Sequence, residues 1–222
     1  MLGLLVVIFA LLVLRGQLVA LESGAAPVLA PKRSQAQLTR LSEYADRLYT
    51  ERKWLAAEKA YLCVLKVDHK NVTAYVHLGI IYSTQKNMPD AIECFSIAAR
   101  LRPSGSTFQN LALAFYDNRN YIKSIAAYEK AIMFEPTAQR FVGLGKAQSK
   151  LANLPGAITA FENAVALEPS KKVLQRLADA YEQSDRKTDM RATYKRLLEL
   201  DPADRIAARH LGIHLPDQAA RH

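Results

Sequence analysis

Cysteine is almost missing from this chain: there are two in 222 residues. That excludes a disulfide scaffold and a Cys-rich zinc module. Nine glycines and nine prolines exclude collagen and low-complexity linker proteins. No Gly-rich phosphate loop occurs. Acidic residues are in deficit, 21 against 30 basic ones, for a net charge of +9. Such an excess permits contact with nucleic acid, anionic lipid or acidic peptide without selecting among them. What is plentiful is apolar: half the residues are hydrophobic and 23% are charged, which places the chain among folded proteins.

The N-terminal stretch is the most apolar. Seventeen of residues 1–21 are apolar, interrupted by Arg15, Gly16 and Gln17. As a helix it would be roughly 31 Å long, about the thickness of a bilayer's hydrocarbon core. Two main readings compete. An uncleaved single-pass anchor is favoured by the length. A cleaved signal peptide is favoured by Ser23-Gly24-Ala25 as a small-residue site, but no Lys or Arg precedes the apolar run. A buried amphipathic helix fits less well, because no polar face is present. Arg15, Lys32, Arg33 and Arg40 all lie C-terminal to the run or at its far end, so the positive-inside rule places the rest of the chain in the cytoplasm. Secretion or periplasmic release after cleavage is the alternative. Residues 22–37, with Pro27 and Pro31, read as a linker.

Beyond the linker, prolines recur with a fixed period at Pro103, Pro136, Pro169 and Pro202, each 33 residues apart. The pattern between them also returns. Leu78-Gly79, Tyr82, Ala91, Phe95, Ala98 and Pro103 are followed by Leu111-Ala112, Phe115, Ser124, Tyr128, Ala131 and Pro136. Leu144-Gly145, Gln148, Ala157, Phe161, Ala164 and Pro169 come next, then Leu177-Ala178, Tyr181, Met190, Tyr194, Leu197 and Pro202. An N-terminal copy reads Tyr44-Ala45, Leu48, Ala57, Tyr61 and Val64, with His69 in the proline slot. These residues resemble the tetratricopeptide repeat.

The resemblance implies an all-α fold. Five helix pairs (38–71, 72–104, 105–137, 138–170 and 171–203) would stack as a right-handed superhelix. A capping helix would come next at 204–216, then a frayed tail at 217–222, and a transmembrane helix would precede at 1–21. The small residues Gly79 and Ala91 let paired helices approach, with Phe95 filling the hollow beside them. Each closing proline ends its helix and starts the next, and Pro89 and Pro155 fall in the first turns of second helices. One repeat cannot bury its own apolar face, so the copies depend on one another.

Little in the sequence suggests chemistry. The five histidines are scattered. His210 and His214, four apart, could form a metal pair but have no third ligand. His69 reads as a turn residue, Trp54 as core, and Cys63 and Cys94 as small packing residues. No catalytic residue, cofactor or small-molecule substrate is expected, and the chain does not read as an enzyme.

The family places its leading helices on the concave side. Their inner row here would be Thr39, Glu43, Asp46 and Thr50; Thr73, His77, Ile80 and Thr84; Ser106, Asn110, Leu113 and Asp117, with Gln109 and Tyr116 beside them; Gln139, Gly143, Lys146 and Lys150; and Lys172, Arg176, Asp179 and Gln183. The groove would begin acidic, become partly apolar and end basic. The peptide-binding residues expected from it are His77, Ile80, Gln109, Asn110, Leu113, Tyr116, Lys146, Lys150, Lys172 and Arg176. Val72 to Thr84 has no charged residue, which suggests either an exposed apolar contact strip or one covered by the linker. Some family members clamp a partner's C-terminal carboxylate. Lys172 and Arg176 match part of that set, but Gln109, Leu113 and Gly143 do not, so that function is not carried over. The function implied is a membrane-tethered adaptor or scaffold holding a protein segment with an acidic part. An RNA-binding helical repeat is the alternative, disfavoured by the mixed charge of residues 38–202, with 24 basic and 18 acidic side chains.

Overall fold

The computed structural model describes residues 32–214, and side chains from residue 35. These residues form helices joined by tight turns, with no strand among them. They divide into two units, with the boundary between Pro103 and Ser104.

The first unit holds α1 (Lys32–Thr50), α2 (Trp54–Val67), α3 (Val72–Thr84) and α4 (Met88–Leu101). Its core is built from small residues under large ones: Ala45, Ala57, Ala60 and Ala74 beneath Tyr61, Val64, Leu78 and Ile81. Trp54 packs against this cluster while staying partly exposed. Helix α3 packs between α2 and α4, which explains its lack of charge. Ala74, Leu78, Gly79 and Ile81 are buried, and Tyr75, Val76, Ile80 and Tyr82 are half-buried. No fully exposed apolar strip runs along α3, and of the described residues it is α2 and α4 that cover it.

The second unit holds α5 (Gly105–Asp117), α6 (Tyr121–Phe134), α7 (Ala138–Lys150), α8 (Leu154–Leu167), α9 (Lys171–Gln183), α10 (Lys187–Leu200) and α11 (Arg205–Leu211). Its largest buried cluster runs from Phe161 through Leu174, Leu177 and Tyr181 to Tyr194 and Leu197, closed by Ala207 of α11. Ser124 stands where Ala91 and Ala157 stand in neighbouring repeats. It is fully buried, and its hydroxyl donates to the Ala112 carbonyl at 2.8 Å, so the polar atom carries no unpaired-burial penalty.

The repeated turns share one device. Arg52, Lys86, Arg119, Ala152 and Asp185 all take left-handed φ between 55° and 64°. The amide after each donates back into the preceding helix, as from Asn87 to the Tyr82 carbonyl and from Asn120 to the Phe115 carbonyl. This closes the C-terminal carbonyls without glycine. The prolines act more narrowly than their spacing implies. Pro136 lies between Phe134 and Ala138, outside both helices, and the next helix is started by a capping side chain. Thr137 accepts from the Arg140 amide, and Ser104 forms a reciprocal capping box with Thr107. Pro89 and Pro155 do sit in first turns.

Several boundaries differ from expectation. Helix α1 begins at Lys32, inside the stretch read as linker, because residues 32–37 contain no Pro or Gly to break it. The capping helix ends at Leu211 rather than at Pro216, because Gly212 takes φ 72° and closes it with a left-handed cap. His214 therefore lies past the helix, and the His210–His214 pair loses its shared face. Cys63 is exposed on α2, while Cys94 is buried, and burial pushes the Cys94 thiol up to about 12. Only Cys94 is the packing residue expected. The 1–21 anchor and the 217–222 tail lie outside the described residues. Among the described residues no helix is long and apolar enough to cross a membrane.

Candidate interaction surface

His77 and Ile80 belong to the first unit, and the other expected groove residues to the second. In the first unit His77 is engaged by its own neighbours. Its ring stacks on Tyr49 with centroids 4.3 Å apart, and its Nδ1 lies 2.5 Å from the Tyr61 hydroxyl. That hydroxyl donates to Asp46 at 2.7 Å. Burial lowers the His77 pKa, and Asp46 offsets part of this. Burial, with the Asp46 carboxylate, raises the Tyr61 phenol far above its ordinary range. Asp46, Tyr49, Tyr61 and His77 thus form one hydrogen-bonded aromatic cluster joining α1, α2 and α3.

In the second unit the geometry brings Tyr116 and Lys146 together, with the ammonium 5.2 Å from the ring centroid. Tyr121 meets the same ring edge-on at 5.4 Å. Burial raises the Tyr116 phenol, and Arg176 is near enough to pull it partly back. Leu113 is 48% exposed. Lys150, Lys172 and Arg176 are exposed and Asn110 is half-buried. Among the described residues Lys146, Lys150, Lys172 and Arg176 make no ion pair.

Two residues of the expected inner row are held by contacts within the fold. Gln109 is committed to structure, because its Oε1 accepts from Arg140 Nε at 3.0 Å. Arg140 is 5% exposed; its Nη1 donates to the Glu135 carboxylate at 2.8 Å and to the Glu135 carbonyl. Gly105 makes room for it, since a Cβ there would stand 2.7 Å from the guanidinium carbon. Gly143 is buried rather than lining an open row, and the Tyr128 ring lies directly on it. Burial pushes the Tyr128 phenol up to about 12, with the Asp117 carboxylate adding to the shift. Sequence reading missed Arg140, and it placed Tyr128 in the repeat pattern without its contact on Gly143. The available signals were an arginine where other repeats carry Thr107 or Val173, and tyrosine alternating with phenylalanine at a core position.

The cysteines are free, and no group of three potential metal ligands occurs among the described residues. The surface offers cations, phenols and an exposed leucine on regular helices.

Tetratricopeptide-repeat profiles match residues 44–106, 106–137 and 142–205. The chain belongs to the tetratricopeptide repeat family. Over 82 residues it is 38% identical to the probable UDP-N-acetylglucosamine–peptide N-acetylglucosaminyltransferase SPINDLY of Arabidopsis thaliana. That match takes in 37% of this chain and 9% of the relative, so the chain spans under a tenth of that enzyme's length. Among solved structures it resembles MamA at 25% identity and a TM-score of 0.67, over 71% of this chain and 94% of that one. It also resembles YrrB, described as a tetratricopeptide-repeat protein with an unusual peptide-binding site. There the identity is 17% and the TM-score 0.66, over 77% of this chain and 89% of that one. The second likeness is one of fold. Repeats of this family are interaction scaffolds, and the chain is one of them.

Proposed function

We propose that this chain is a non-catalytic adaptor that binds a peptide segment of a protein partner on the leading helices, with residues 1–21 tethering it to a membrane. In the second unit the binding row is Asn110, Leu113 and Tyr116 of α5, Lys146 and Lys150 of α7, and Lys172 and Arg176 of α9. The first unit offers Ile80 and the cluster around His77 as candidate contacts of its own. The observation that carries this reading is the set of four cations without ion-pair partners beside a half-exposed leucine and a partly open tyrosine. Charges left unpaired on a rigid surface are available to a partner of opposite sign. The peptide-binding site attributed to YrrB supports a peptide as the ligand class. The mixed charge of the repeats speaks against RNA.

The charges and the apolar centre should act on different rate constants. The exposed cations are worth roughly 0–1 kcal/mol each and are screened by salt. The Lys172→Glu, Arg176→Glu double variant should therefore slow association with a selected acidic peptide, most visibly at low salt. Leu113→Asp should instead speed dissociation. Normal binding by both variants, each folded, would remove this surface from consideration. The tether has its own test. The full chain should stay in the membrane pellet after carbonate washing, and a soluble mature chain beginning near Ala26 would refute the anchor.

A further inference from the structure

Three repeats carry tyrosine at the buried aromatic position of the second helix, namely Tyr61, Tyr128 and Tyr194, while two carry Phe95 and Phe161. Opposite the tyrosines, the next leading helix presents His77, Gly143 and His210. In the first unit the Tyr61 hydroxyl is held between Asp46 and His77. In the second unit the Tyr194 ring stacks on His210 with centroids 4.4 Å apart and planes 14° apart. Tyr128 is the exception. With no side chain at Gly143, its phenol lies against the α7 backbone, so close that a Cβ at residue 143 would overlap Cζ and stand 2.6 Å from the hydroxyl oxygen. The ring is 5% exposed. Its hydroxyl makes no hydrogen bond among the described residues and is not one of their enclosed unpaired polar atoms, so it reaches solvent beside Gly143 and is open to a partner.

The surroundings indicate what the hydroxyl would meet. Tyr116 lies in its field, Lys146 sits 5.2 Å over the Tyr116 ring, and Arg176 acts on the same ring. Asp117 and Asp179 also face this region. With Lys146, Lys150, Lys172 and Arg176 the leading-helix face of α5, α7 and α9 keeps an excess of positive charge.

We propose that the Tyr128 hydroxyl, Lys146 and Arg176 form a subsite for an aspartate or glutamate side chain within a peptide partner, whose neighbouring apolar residue lies on Leu113 and Tyr116. The inference rests on the peptide-binding reading above and specifies it. The phenol donates one hydrogen bond to a carboxylate oxygen, the two cations supply opposite charge, and Gly143 is what brings the phenol to the α7 backbone. An internal acidic residue suffices, and a free C-terminus is not required.

The test uses the full-length chain and random 12-residue peptides displayed with their C-termini fused, so that no terminal carboxylate is available. Enriched peptides are resynthesised as C-terminal amides, with each Asp or Glu changed to Asn or Gln. On the wild-type chain the critical acid-to-amide change should weaken binding about tenfold. Tyr128→Phe is a tolerated variant, because Phe95 and Phe161 occupy the same repeat position. It should weaken the acidic peptide by a similar factor and leave the amide peptide unchanged. Lys146→Met with Arg176→Met should cost about fivefold at low salt and less at high salt. If acid-to-amide change costs the same on wild type and on Tyr128→Phe, while Leu113→Asp still abolishes binding, the subsite is wrong and the peptide surface stands. If no peptide is enriched, or if Leu113→Asp leaves binding intact, the surface itself is wrong and the subsite falls with it.

Discussion

Replacing Gly145 by leucine is expected to destabilise the protein by about 1–3 kcal/mol, and Gly79→Leu by a similar amount. The two sites are equivalent by repeat. A Cβ on Gly145 would stand 2.7 Å from Cε1 and 2.9 Å from Cδ1 of Phe161; on Gly79 it would stand 2.7 Å and 2.8 Å from the same atoms of Phe95. Neither ring can move aside cheaply, since Phe161 is 3% and Phe95 4% exposed, each within packed helices. Against this, leucine gains roughly 1 kcal/mol of helix propensity over glycine. Displacing a buried phenylalanine risks a larger loss, since removing such a ring costs about 3–5 kcal/mol, so the overlap decides the sign. The melting temperature followed by helical circular dichroism should fall by about 2–4 °C for each kcal/mol lost. Ala126→Leu on the outer face of α6 is the control and should change stability by no more than about 0.5 kcal/mol. An unchanged melt for both glycine variants would mean that the paired helices do not meet at these residues.

Asp204→Ala should release α11 and cost about 2 kcal/mol. Asp204 is 3% exposed, and its Oδ1 accepts from the amides of Ile206 at 3.0 Å and Ala207 at 2.9 Å. Its Oδ2 lies 2.7 Å from Lys171 Nζ, which also reaches Asp201 at 2.7 Å. One carboxylate therefore caps α11 and fastens it to the start of α9. Ala207, fully buried, is the residue that this docking covers. The network also sets a pH dependence. Burial pushes the Asp204 carboxyl up, but the Lys171 hydrogen bond and the two amides together outweigh it, so its pKa lies below the ordinary carboxylate value. Below about pH 4 the unfolded chain takes up this proton first. The stabilisation is thus complete above that pH and is lost as pH falls through the depressed folded value. Hydrogen exchange in residues 205–211 should accelerate on acidification in the wild type, and should already be fast at neutral pH in Asp204→Ala. Slow exchange there in the variant would show that α11 is held by its apolar contacts alone.

The helix pairs were legible because the period of 33 repeats both the small residues and the aromatic that covers them, and a pattern recurring in five copies constrains helix phase strongly. The contact of Phe95 with Gly79 could be anticipated for that reason. The features that departed from the period were harder to read. Arg140 stands where another repeat has Val173, and only the geometry reveals Gly105 beneath it and Gln109 bonded to it. Gly143 resembles a gap in a binding row as sequence, whereas in the fold the Tyr128 ring lies on it. Local signals were also outweighed at the ends. Residues 32–37 continue a helix because nothing interrupts them, and Gly212 stops one before the apolar pattern stops. Exposure was the least legible property, as Cys63 shows: helix position identifies the neighbours along a helix but not what covers its outer face.

The most direct measurement is site-specific photo-cross-linking of the full-length chain to a selected acidic 12-residue peptide. A photoreactive phenylalanine analogue would replace either Leu113 on the leading helix α5 or Lys195 on the second helix α10. The account predicts efficient peptide capture from position 113, suppressed by excess unlabelled peptide, and none from position 195. Capture from position 195 with none from position 113 would contradict it and place the binding surface on the second helices.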